Sequence, residues 1–143
     1  MTTIQEYGPP LTLSTARRLA DAAEAEASRQ GWAMVIAILD SAGQVVLVHR
    51  MDNAQYASVA IAQAKARTAV NFKRPSKAFE DALAQGGMAL RLLAVGEICP
   101  LEGGEPILRD GKIVGAIGVS GAQSFQDGAV ARAALAALAA VAG

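Results

Sequence analysis

The stretch from Gly103 to Ala131, GGEPILRDGKIVGAIGVSGAQSFQDGAVA, constrains this chain more than any other. Asp110-Gly111 lies between two β-prone runs, GEPILR and KIVGAIGVS. A two-residue link of that kind predicts a tight hairpin, because glycine tolerates the positive φ of a primed turn. Gly115 and Gly118, with Ala116, leave one surface of the second strand nearly bare. That is the mark of close approach by another backbone or by a ligand. Ser120-Gly121 then leads into a helix whose first N–H groups lack internal partners and can hold a carboxylate. Two readings follow: a small-molecule pocket roofed by this strand–loop–helix unit, or a glycine-eased hairpin packed on a helix.

The rest of the chain supplies what would pack there. Tyr7-Gly8-Pro9-Pro10 is an extended lead-in, since a residue before proline is biased away from α. Thr12 or Ser14 can cap a helix that carries Leu13, Ala16, Leu19, Ala20, Ala23 and Ala27 at helical spacing, with Gly31 as its stop. Arg17, Asp21, Glu24 and Arg29 fall off that stripe and read as a solvated face. Ala33 to Leu39 is an apolar run of strand length, Asp40 to Gly43 a turn, and Gln44 to Arg50 a returning antiparallel strand. Asp52 or Asn53 can cap an alanine-rich helix over residues 54–71, which Pro75 prevents from continuing. Ser76 caps another helix, with Phe79, Leu83, Leu90 and Leu93 on its buried side and Gly86-Gly87 as the point where it splits. Val95 to Cys99 is a short strand. Ser124 to Val141 is a helix, since alanine is the best helix former. The order gives one α+β domain over residues 1–143, with helices gathered around antiparallel hairpins.

Composition narrows the function classes. Thirteen basic residues balance thirteen acidic ones, so no basic field exists to hold nucleic acid. Apolar residues make up 52 % and charged residues 18 %, and much of the apolar excess is alanine. Flat, sparsely charged helices imply surface buried against another copy, as in a homo-oligomer. One cysteine, Cys99, excludes an internal disulfide and Cys-rich zinc or iron–sulfur frameworks, and reads as a small buried hydrophobe. No metal site is expected. The first residues carry neither a basic n-region nor an apolar h-region, and no apolar run of about 18 residues is free of charge. A cytoplasmic protein away from the membrane is the expectation.

The candidate chemistry is sparse. The glycines of Gly115–Gly121 lie inside a strand, the wrong place for a phosphate cradle, and Ser120 lacks the G-x-S-x-G frame of a nucleophile elbow. His49 is the only histidine, which excludes a site needing two. It can ligate a haem iron or transfer a proton near neutral pH, or it is a strand-end residue hydrogen-bonded near the surface. Arg50 can grip a carboxylate with two parallel hydrogen bonds. Asp52 caps the following helix or moves a proton. Lys65 and Thr68, at i and i+3, present an ammonium and a hydroxyl to a cavity, or Lys65 snorkels to the surface. Glu102 and Glu105 bracket two glycines in a solvated loop.

Taken together, RMDNAQYASVAIAQAKARTAVNFKRPS and GGEPILRDGKIVGAIGVSGAQSFQD resemble the GlcG/HbpS-like family of small haem-binding proteins, also found as the C-terminal domain of PduO-type proteins. The likeness runs from about Leu11 to Gly143. It implies a five-stranded antiparallel sheet flanked by helices, profilin-like in outline, and a homo-oligomer: dimer, tetramer or octamer. By motif matching it singles out Arg50, Asp52, Lys65, Thr68, Pro106, Ser120, Gly121 and Asp127, with His49 and Thr68 as candidates for a haem axial ligand. The function expected is binding of haem or a similar planar carboxylated ligand, with Arg50 and Lys65 meeting its carboxylates. The alternative is a cofactor-free tautomerase or isomerase acting on a small carboxylated catabolic metabolite. There Arg50 would hold the substrate and Lys65 or Asp52 would be catalytic.

Overall fold

A computed structural model describes residues 4–142, with side chains described through residue 140. Helix α1 spans Leu13–Gln30, strands β1 and β2 span Val35–Asp40 and Val45–Arg50, and helices α2 and α3 span Ala57–Phe72 and Lys77–Ala84. A 3-10 segment, Gly87–Ala94, precedes strands β3 (Gly104–Arg109) and β4 (Lys112–Ser120), and helix α4 spans Ser124–Ala142. All strand pairs are antiparallel, in the order β2-β1-β4-β3.

Local chemistry sets the element ends. The Thr12 hydroxyl accepts the Thr15 N–H at 3.1 Å and caps α1, and Gly31 ends it in the left-handed region at φ 80°. Asp110 and Gly111 both take positive φ, 53° and 76°, which closes the β3–β4 hairpin with the primed turn its sequence predicts.

Among the described residues the sheet has four strands where five are implied by the resemblance. The missing one is Val95–Cys99, where the backbone meets a side chain instead of a ladder. Thr68 Oγ1 accepts the Cys99 N–H at 2.8 Å and donates to the Ala64 and Glu97 carbonyls, and Glu97 sits at φ 70°. A residue at positive φ cannot continue a strand. Tyr7 instead makes a single parallel bridge to Ile113.

Two further expectations change. Asp52 and Asn53 do not cap α2. Asn53 turns at φ 68° and the helix starts after Tyr56, which makes no side-chain cap bond. Gly86 and Gly87, both at positive φ, do split the helix after α3, but the segment beyond them buries nothing. Leu90 and Leu93 are therefore exposed, and Phe79 alone of the four expected residues is buried.

Alternation along the strands sorts the core into two layers. Met34, Ile36, Ile38, Ile107, Ile117 and Val119 face α1 and α4. Val35, Ala37, Leu39, Ile113 and Ala116 face α2, which meets them with Ala62, Ala66, Ala69 and Val70. The alanines let α2 lie close, and the glycines let it lie closer. A Cβ at Gly118 would overlap the Ala62 carbonyl oxygen and reach the Ala66 nitrogen at 2.8 Å, and one at Gly104 would overlap the Lys65 carbonyl. The glycines do not share one surface, since Gly115 faces the other layer, toward Leu11. At Gly118 and Gly104 the bare face is covered by the backbone of α2, and α2 and the hairpin touch without a hollow between them.

Candidate functional site

The residues singled out by sequence separate into four places. The first is the interior between α2, β4 and α4. Lys65 and Asp127 are 1 % and 2 % exposed, and their charged groups meet at 2.8 Å. Lys65 Nζ also donates to the Val119 carbonyl at 2.9 Å, and Asp127 accepts the Ala122 N–H at 2.9 Å. Burial pushes the Asp127 carboxyl above its ordinary value, against the pull of Lys65 and of the backbone donors. This pair ties the middle of α2 to the first turn of α4, and neither charged group reaches solvent. Thr68 lies one turn further along α2, fully buried, its hydroxyl committed to the bonds that hold residues 97–99. Its proton and one of its two lone pairs are taken, and its full burial keeps it away from an external ligand. Cys99, beside it, is partly buried, and burial raises its thiol pKa.

The second place is the end of the sheet next to the start of α2. Cross-strand pairing puts Arg50, Val35 and Ser120 in one row on the α2 face. The Ser58 and Ser120 hydroxyls meet at 2.9 Å, both buried, and Gln55 Nε2 donates to Ser58. Gly121 follows at φ 155°, where a Cβ would press on the Ala33 carbonyl. Arg50 and Asp52 are exposed and line an open recess of about 590 Å³ with Asn53, Gln55 and Tyr56.

Pro106, third, stands on the outer strand β3. It lines an apolar groove of about 720 Å³ with Ile107, Leu108, Leu135 and Leu138, closed at one end by Arg109 and Asp110. Glu102 and Glu105 are not in a solvated loop. Their side chains are 5 % and 12 % exposed, and both approach Arg132, at 2.9 and 3.6 Å. Burial raises the Glu105 carboxyl more than Arg132 lowers it.

His49 is the fourth, on the opposite face from Arg50. Pairing with Ile36 turns it toward α1, where Asp21 and Glu24 stand one helical turn apart. One ligand atom from each of Asp21, Glu24 and His49 falls within 4.8 Å of the others. His49 Nδ1 is 3.8 Å from Glu24 Oε2, beyond hydrogen-bond range, and is buried with no partner among the described residues. A buried nitrogen without a partner is uncommon and calls for a cause. The sequence places Asp21 and Glu24 on a solvated face of α1. Their spacing, D-x-x-E on the outer side of a helix, was the available signal, and it gains meaning only once β2 is placed beside α1. One imidazole with two carboxylates is a donor set that several divalent metals accept, iron, zinc and manganese among them. Among the described residues no helix is long and apolar enough to cross a membrane.

Comparison with known proteins agrees with the fold. Residues 11–136 match the family model described as haem degrading protein HbpS-like. Protein GlcG of Escherichia coli K12 is 37 % identical over 110 residues, 77 % of this chain and 81 % of its own. The crystal structure of Klebsiella pneumoniae protein ORFY superposes with a TM-score of 0.88 at 29 % identity, covering 98 % of both chains. A crystal structure of a PduOC:heme complex superposes with a TM-score of 0.81 at 30 % identity, covering 90 % of this chain and 94 % of that one. On its sequence and its fold together, this chain belongs to the HbpS-like family.

Proposed function

We propose that this protein binds haem, or the iron it carries, at the rim where β2 meets α1, with His49 as the nitrogen ligand. The observation that carries this reading is the buried, unpartnered Nδ1 of His49 beside Asp21 and Glu24. An orphaned imidazole nitrogen is costly to bury unless something occupies it, and a metal is a partner that both the imidazole and the carboxylates accept. Haem, when bound, would supply the iron. The chain's own contribution is to hold the imidazole by its strand and to place two carboxylates beside it. Arg50 and the recess at residues 50–56 lie on the other face of the sheet and would be a separate place for a carboxylate.

What supports the ligand class is the family and the heme complex of PduOC. A homo-oligomer working in the cytoplasm belongs to the same proposal. Haemin titration tests it. The protein should shift the Soret band at micromolar concentration, and His49→Ala should abolish the shift. Thr68→Val should keep it. A Soret shift that survives His49→Ala unchanged would place the ligand elsewhere.

A further inference from the structure

The two outer edges of the sheet are not alike. On β3, Gly104 exchanges hydrogen bonds with Ser76, N–H to Oγ at 2.8 Å and C=O from the Ser76 N–H at 3.0 Å. Pro106, next in outward phase, has no N–H to offer. That edge is guarded. On β2, the bond from the Met51 N–H to the Met34 carbonyl at 3.0 Å sets the alternation against β1. Val48 and Arg50 therefore aim their N–H and C=O groups outward. Among the described residues nothing pairs with those groups. β2, VVLVHR, holds no proline, lysine or carboxylate, and its one permanent charge is Arg50 at the strand end. The irregularity at Ile38/Leu39 disturbs only the far end of the pair.

We propose that β2 pairs antiparallel with β2 of a second copy, about a two-fold axis at His49. The occupant follows from the edge itself. Val48 and Arg50 are the residues with outward groups, and one register satisfies all of them: Val48 of each chain meets Arg50 of the other. In that register Arg50 faces an apolar residue, so no like charges oppose there. The chain's formal net charge is zero, so no long-range repulsion keeps two copies apart. The two His49 residues then form a pair that is not hydrogen-bonded, with Cα atoms about 4.5 Å apart. Both imidazoles lie on the face that carries α1, and the partner's His49 brings its own Asp21 and Glu24. The site would thus be doubled across the axis. This last consequence rests on the ligand reading above, whereas the strand pairing rests on the edge alone.

Disulfide trapping tests the register. In a Cys99→Ser background, His49→Cys should oxidise to a covalent dimer. Val48→Cys should not, because its diagonal partner lies beyond the roughly 7 Å that a disulfide can span. Hydrogen exchange of the unsubstituted protein replaces this arm should the variant not fold. The Val48 and Arg50 amides should exchange roughly 100-fold more slowly than an open edge. No covalent dimer from folded His49→Cys, trapping of Val48→Cys as readily as His49→Cys, or fast exchange at both amides would overturn the pairing. Haemin binding without trapping would remove the pairing and leave the ligand reading. Trapping without haemin binding would do the reverse.

Discussion

At the scale of single residues, the chain's ionisable groups divide into those that hold the fold and those left for a ligand. Lys65 and Asp127 belong to the first kind. Removing one partner leaves a buried charge unpaired, so Lys65→Met should cost about 3–5 kcal/mol in urea unfolding. Lys65→Met with Asp127→Leu should recover most of that loss, since apolar pairs of similar volume replace buried ion pairs at little cost. Lys65 was recognisable as unusual amid alanines, but its partner lies 62 positions away and helical spacing says nothing about it. Thr68 is similar: its three bonds reach residues 64, 97 and 99, and only the first is local. His49 stood out as a lone histidine. Asp21 and Glu24 did not, because periodicity shows which residues leave a core and not which strand stands over them.

At the scale of elements, the hairpin was the most legible part, and the reason is steric. Asp110-Gly111 and the glycines of β4 have few alternatives. Two glycine substitutions should separate the two uses. Gly111→Ala points into open space and is strained only by its φ of 76°, so it should cost about 1 kcal/mol. Gly118→Ala drives a methyl into the backbone of α2 at Ala62 and Ala66, and should cost about 3 kcal/mol by thermal unfolding. Equal costs would mean that α2 does not rest on β4. The pattern in the sequence announced a close approach and left its partner open between backbone and ligand; the neighbour is a helix. Val95–Cys99 departs from the strand its apolar residues suit, because a threonine hydroxyl from α2 takes the hydrogen bonds a ladder would need.

At the scale of the whole molecule, the sheet has one guarded edge and one open edge. Arg132, on the α4 side of β3, gathers two shielded carboxylates. Glu105 titrates above its ordinary 4.5 because burial outweighs Arg132. A carboxyl whose folded pKa is raised favours the folded state in its protonated form. Its stabilising share is therefore present below the ordinary value and lost as pH rises through the folded one. Glu105→Gln should accordingly raise the melting temperature at pH 7, and the gain should shrink toward zero as pH falls below about 4.5. A gain that grows on acidification would contradict the assigned cause.

The rim at His49 is where the fold leaves a donor unused, and the sequence offers a direct way to look at it. The chain contains one histidine, so ¹⁵N-histidine labelling marks a single residue. Pulsed electron paramagnetic resonance of the protein loaded with ferric haem, or with ferric iron alone, should show a hyperfine coupling from that labelled imidazole. Bound iron with no coupling to the labelled histidine would contradict the assignment of His49, as would a protein that binds neither form.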